Sequence, residues 1–244
     1  MILQAEGIVL KTFDFRETSR IATFFTKEYG KVKGVLKGIR KDHKKFGSNI
    51  DQFSVNDIVY YTHRNSDLHL ISQCDLKAFF FPIRQDMKRT LAASYSLELV
   101  DSIMPVEEPN KDIYRLLLYY LNTLEHTDDI NKLVHIFQIK ILLLSGFRPF
   151  LDSCVVCQNK ITPRMRFSMK LGGLICEDCR SNDHSANMVS RGTIASLVHI
   201  EKSSWEKALR LNLSVMTEKE LKYILNNFLI FHLERHIKAT KYLK

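Results

Sequence analysis

Four cysteines constrain this chain more than any other feature. Cys154 and Cys157, then Cys176 and Cys179, stand as two C-x2-C pairs with 18 residues between them. Each tight C-x-x-C turn offers two thiolates to one ion, and two such turns complete a tetrahedron, so this spacing reads as a four-cysteine zinc site. The surrounding residues 150–185 have no helical period and few large apolar side chains, too few to bury a core unaided. One structural Zn2+ is therefore expected. Four thiolates leave no open position for water, so catalysis by this ion is not expected. Disulfide pairing would need an oxidising compartment, and the opening run MILQAEGIVLK carries Glu6 where an export signal would be apolar. A thioredoxin-like redox role would need one C-x-x-C in a βαβ setting. The fifth cysteine, Cys74, falls in a strand-like run and reads as a buried structural residue.

On the N-terminal side the sequence has the period of strands. Leu3 to Phe13, Ser19 to Lys27, Lys31 to Gly38, Asp57 to His63 and Leu68 to Leu76 are short runs rich in Val, Ile, Phe, Tyr and Thr. Tyr29-Gly30 and Asn65-Ser66 offer hairpin turns between them. Five short strands in about 80 residues suit a five-stranded OB-fold barrel. From Pro82 the period changes. Met87, Leu91, Tyr95, Leu99 and Ile103 recur every four residues, which is helical. Pro105 and Pro109 end that helix, and Asn110 can cap a second through Leu116, Leu117, Tyr120, Leu121 and Leu124. A third, about Ile130 to Ser145, is apolar on most sides, with Gly146 as its C-terminal cap. Helices resume near Arg191, and Thr217 to Glu220 reads T-E-K-E, a capping box that opens the last one.

The fold class expected is α+β, an N-terminal OB-fold β-barrel followed by an α-helical domain carrying a four-cysteine zinc-finger insertion. The divisions are 1–80 for the OB-fold barrel, 81–149 for the first helical part, 150–185 for the insertion and 186–244 for the last helical part. The longest apolar runs, Ile136 to Phe147 and Ile224 to Leu233, are interrupted by Lys140 and by Asn226 and Asn227, so neither suits a bilayer. A cytoplasmic protein is expected.

Charge gives the barrel its expected role. The net +9 of the chain resolves into +6 within residues 1–50 and −3 within residues 51–150. Lys27 to Lys45 alone holds eight basic residues against Glu28 and Asp42. A concentrated excess of this kind makes a local positive potential suited to a polyanion; a solvated basic loop with no partner is the plainer alternative. Along the third strand Val32, Gly34 and Leu36 share one face, while Lys31, Lys33 and Lys37 share the other with Val35. The residues placed on this polyanion-binding surface are Arg16, Arg20, Lys31, Lys33, Lys37, Arg40, Lys41, Lys44 and Lys45. Of Tyr29, Phe46, Phe53, Tyr60 and Tyr61, about two at most are expected to stack on bases, the rest being core. Lys238, Lys241 and Lys244 either extend the cationic surface or serve the end of the last helix.

No Walker A loop, G-x-G-x-x-G or G-x-S-x-G occurs. His232-Leu233-Glu234 matches H-x-E, but it follows both cysteine pairs, whereas a zinc deaminase needs it ahead of them. No small-molecule substrate and no enzymatic activity are expected.

The order of these features resembles the RecO recombination mediators of bacteria over nearly the whole chain. The pieces that carry the resemblance are Arg16-Glu17-Thr18-Ser19-Arg20-Ile21, Tyr29-Gly30-Lys31, Val35-Leu36-Lys37-Gly38-Ile39-Arg40-Lys41, Gly146-Phe147-Arg148-Pro149 and the two cysteine pairs. After Arg40-Lys41 the chain departs from the family's Pro-Lys-Ser-like turn with Asp42-His43-Lys44-Lys45-Phe46, which keeps the loop basic. The resemblance implies a mediator in the RecF pathway that binds single- and double-stranded DNA and anneals complementary strands. It also implies work with RecR, contact with the acidic tail of the single-strand-binding protein, and so help in loading RecA at gaps, on the bacterial nucleoid. The other class weighed is a zinc-ribbon adaptor for RNA or for transcriptional or ribosomal machinery.

Overall fold

The computed structural model describes residues 1–41, 46, 50–63, 66–233 and 239. Five strands close a barrel in the order β1-β2-β3-β5-β4, namely β1 (Ile2–Phe15), β2 (Ser19–Thr26), β3 (Gly30–Leu36), β4 (Ser54–Tyr61) and β5 (Leu68–Phe79). All neighbours are antiparallel except β3 and β5, which run parallel through Lys33↔Leu68 and Val35↔Leu70. Closure depends on β1. Its first half pairs with β4 from Ile2 to Ile8 and its second with β2 as far as Phe15, with a bulge between Val9 and Lys11 that lets one strand serve both.

The barrel core is an apolar cluster that includes Val9, Phe24, Val32, Leu36, Ile58, Tyr60 and Ile71. Alternation holds as expected on β3, where Val32 and Leu36 face this core and Lys33 is exposed. Gly34 shares the inward face because Ile71 fills its space: a Cβ there would lie 2.4 Å from Ile71 Cδ1. The strand ends two residues before the expected Gly38, which takes φ +82 in the turn that follows. This is the five-stranded OB-fold architecture the spacing of the runs suggested.

Helices α1 (Phe81–Gln85), α2 (Met87–Ile103) and α3 (Lys111–Leu124) complete the first of two compact units, Met1–Thr127. Asp86 caps α2 by accepting from Arg89 N, and Asn110 caps α3 by accepting from Ile113 N, as expected for that residue. Tyr120 is wholly buried, and its hydroxyl donates to Ala92 O across the two helices at 3.0 Å.

The second unit, Asp128–Thr240, begins with α4 (Ile130–Leu144), which Asp129 caps and Gly146 follows in the left-handed region at φ +81. A small sheet comes next: β6 (Met165–Ser168) lies between β7 (Gly173–Cys176) and β8 (Asn187–Val189), with a 3-10 helix at Glu177–Asn182. Three helices finish the unit, α5 (Arg191–Lys202), α6 (Trp205–Leu209) and α7 (Val215–Leu233). The start of α7 corrects the capping box expected at Thr217. The cap is Ser214, whose hydroxyl accepts from Thr217 N at 3.1 Å, while Glu220 accepts from Ser190 N at the head of α5. Tertiary pairing claimed the glutamate that local pattern had assigned to the helix's own N-terminus. Among the described residues no helix is long and apolar enough to cross a membrane.

Candidate nucleic-acid interface and metal centre

The four cysteines converge. Cys154 and Cys157 sit on one turn, closed by Gln158 N donating to Cys154 O at 2.9 Å, with Gln158 at φ +60. Cys176 ends β7 and Cys179 lies one turn into the 3-10 helix, so the second pair is presented by a strand end and its tightening turn. Two backbone N–H groups dock the knuckles together: Val155 N donates to Leu174 O at 2.7 Å and Cys176 N to the Cys154 side-chain Sγ at 3.4 Å. Gly172-Gly173 serves this docking as turn chemistry. Gly172 takes φ +73, and a Cβ on Gly173 would meet Phe150 O at 2.3 Å.

All four sulfurs lie within 4.8 Å of one another, and Cys157 Sγ and Cys176 Sγ are 3.7 Å apart. A tetrahedral ion with bonds of about 2.3 Å separates its sulfurs by about 3.8 Å, so the donor set fits a thiophilic metal ion. Burial works against ionisation of Cys154, yet backbone N–H groups of Cys157, Cys176 and Val156 outweigh it and hold that thiol down at about 6. Burial pushes the isolated Cys74 thiol up to about 12, which suits a core residue.

The basic residues of the barrel fall into three groups. Arg16, Arg20 and Arg40 gather at the β1–β2 turn around Asp14, which takes Arg20 at 3.0 Å and Arg40 at 3.6 Å. Arg40 also donates to Arg16 O at 3.4 Å, and the Arg16 guanidinium lies over the Phe15 ring at 5.1 Å. Arg16 adopts φ +54, so this turn is held in a shape few side chains favour. Lys33, Lys37 and Lys41 are exposed and form no ion pair among the described residues. Lys31 stands apart. Its ammonium donates to Asp101 O at 2.7 Å and pairs with Asp101 Oδ1 at 3.2 Å, leaving the side chain 12% exposed. Lys44 and Lys45 lie outside the described residues.

Sequence parity did not single out Lys11 or Asp101, because their meeting depends on a helix end 90 residues away. Lys11 Nζ pairs with Asp101 Oδ2 at 2.7 Å. Burial would raise the Asp101 carboxyl, but the Lys11 hydrogen bond and the charges of Lys31 and Lys11 hold it below its ordinary value. These residues, with Phe13, Thr23, Lys33 and Val106, line a cavity of about 240 Å3 on the outside of the barrel. Of the five aromatics considered for stacking, Phe46, Phe53 and Tyr60 are buried, Tyr29 packs against the core, and Tyr61 is exposed. His232, from the H-x-E run, packs its ring against Phe228 at 4.2 Å; Glu234 lies outside the described residues.

In the second unit a groove of about 560 Å3 runs along α5. Ile161, Ile194, Ala195 and Val198 give it an apolar lining, and Arg191, His199 and Lys202 add basic groups.

Comparison with known proteins covers both units. Residues 1–80 match the family described as Recombination protein O N terminal, and residues 84–241 match Recombination protein O C terminal. A protein named DNA repair protein RecO from Syntrophus aciditrophicus is 31% identical over 244 residues, covering 98% of this chain and 94% of its own. Its counterpart in Moorella thermoacetica is 29% identical over 99% of this chain and 90% of its own. That of Caldicellulosiruptor saccharolyticus is 30% identical over 99% of this chain and 98% of its own.

Proposed function

The chain belongs to the RecO family of recombination proteins, and from that premise we propose that it is a DNA repair and homologous recombination mediator rather than an enzyme. The observation that carries this is the cationic face of the barrel. Arg16, Arg20 and Arg40 cluster at one turn, and Lys33, Lys37 and Lys41 stand exposed beside it, with no ion pair among the described residues. In OB-folds the second and third strands are the usual oligonucleotide platform, and these residues belong to those strands or to the turns that flank them. Phosphate contacts of this kind carry little sequence information, so single- and double-stranded DNA both bind. Cations that neutralise phosphates on two strands at once reduce their repulsion, which promotes annealing without chemistry. Lys44 and Lys45 extend the same basic segment in sequence.

The four-cysteine centre would hold one structural zinc. A zinc bound there would fix the two knuckles to one another and so supply folding energy to the small sheet. Cys154, Cys157, Cys176 and Cys179 fill every coordination position.

The groove along α5 suits the acidic, apolar tail of single-strand-binding protein. Apolar side chains would take the tail's hydrophobic residues, while Arg191 and Lys202 face its carboxylates. RecR is the companion protein, and RecA is served indirectly when it loads at gaps. The setting is the bacterial cytoplasm, on the nucleoid.

An annealing assay on complementary strands coated with single-strand-binding protein tests both parts together. We expect annealing of naked and coated strands, with the coated reaction lost when the acidic tail is removed from the coat. Equal annealing on tailless coat would contradict docking at α5. A strong preference for structured RNA over single-stranded DNA in competition would contradict the mediator role and favour an RNA adaptor.

A further inference from the structure

The cavity on the outside of the barrel carries more than a general positive potential. Strand register sets three residues side by side across it: Lys11 on β1 faces Thr23 on β2, and Thr23 faces Lys33 on β3. Thr23 is 5% exposed, and its Oγ1 is buried with no hydrogen-bond partner among the described residues. An unpartnered buried hydroxyl costs free energy that most proteins avoid, so its place on a strand flanked in register by two lysines calls for an explanation. Three lysines line the cavity against one carboxylate, Asp101, which Lys11 and Lys31 already neutralise. Lys33 is exposed and free of any ion pair among the described residues. Phe13, 45% exposed, forms part of the same wall.

We propose that this cavity is a phosphodiester subsite, in which Thr23 Oγ1 donates to one backbone phosphate of single-stranded DNA. Lys33 and Lys11 hold its charge, and Phe13 takes the adjoining base. Thr23 is part of the cavity wall, and its neighbour Lys11 is a half-exposed side chain whose stem can swing aside. Its ammonium exchanges Asp101 for the phosphate, leaving Asp101 to Lys31, which keeps both its bonds to that residue. The inference rests on the reading that the barrel's basic face binds DNA, and adds to it a hydroxyl and an aromatic ring outside the basic cluster.

Thr23→Val keeps the shape of the side chain and removes the donor. In the full chain it should lower affinity for a single-stranded oligonucleotide about tenfold, the scale of one hydrogen bond to a charged group. The salt slope should stay unchanged, because no cation is removed. Thermal stability should hold or rise, since no hydrogen bond is broken, and Thr23→Ser should retain binding. Inorganic phosphate at constant ionic strength should displace the oligonucleotide from the native chain more readily than from Thr23→Val. Native affinity in Thr23→Val, beside weakened binding in Lys37→Glu with Arg40→Glu, would overturn the subsite while leaving the DNA face standing. A native chain that does not bind the oligonucleotide would overturn both. Phosphate binding that Thr23→Val abolishes without touching oligonucleotide affinity would make this a site for the free anion and overturn the proposal.

Discussion

Gly30 closes the β2–β3 turn at φ +66, and a Cβ built there would lie 2.3 Å from Glu108 O. The loop after α2 lies directly against it, held by Glu107 N donating to Lys31 O at 3.2 Å. Alanine at this position meets both the left-handed penalty and a backbone that cannot yield cheaply. We expect Gly30→Ala to cost at least about 2 kcal/mol of unfolding free energy, read as a lower denaturant midpoint. A midpoint within error of the native chain would show that the 104–109 loop is free to shift. The sequence made Gly30 legible as a turn residue but not as the seat of that loop. Lys31, its neighbour, is similar. Parity placed it outside the barrel, where it is, yet the Asp101 partner that engages it is 70 residues away, beyond the reach of any local pattern.

Elements were legible where one physical signal dominated. Runs rich in β-branched and aromatic residues marked all five barrel strands to within a few residues, and the four-residue spacing from Met87 to Ile103 matches α2 end to end. Asn110 and Gly146 were readable as caps because capping is a local matter of side-chain chemistry and φ. The start of α7 was not, because Glu220 serves α5 instead of its own helix. The parallel pairing of β3 with β5 was equally hidden, since register between distant strands leaves no mark on either one. The cysteine pairs were legible from their spacing, and folding brings their sulfurs within 4.8 Å. We expect protein purified without added metal to carry about one zinc per chain by elemental analysis. Cys176→Ser should lose that zinc and melt at lower temperature, because metal binding and folding of the small sheet are one equilibrium. A metal-free chain with native stability would contradict the structural role.

Across the whole molecule, a net charge of +9 says only that an acidic partner is favoured. Folding gives that figure a position. Lys33, Lys37 and Lys41, exposed and without an ion pair among the described residues, share the barrel with the Arg16, Arg20 and Arg40 cluster, and a basic, apolar groove lies on α5 in the other unit. In the function proposed above the two features divide the labour, one for nucleic acid and one for an acidic peptide. The central claim is that the barrel's cations bind DNA through its phosphates. Its most direct measurement is the salt dependence of single-stranded DNA affinity for the native chain and for Lys37→Glu with Arg40→Glu. The double variant should bind at least about tenfold more weakly at low salt, and its slope of log affinity against log salt should be shallower by about 0.7 for each phosphate it no longer neutralises. Unchanged affinity and an unchanged slope would contradict it.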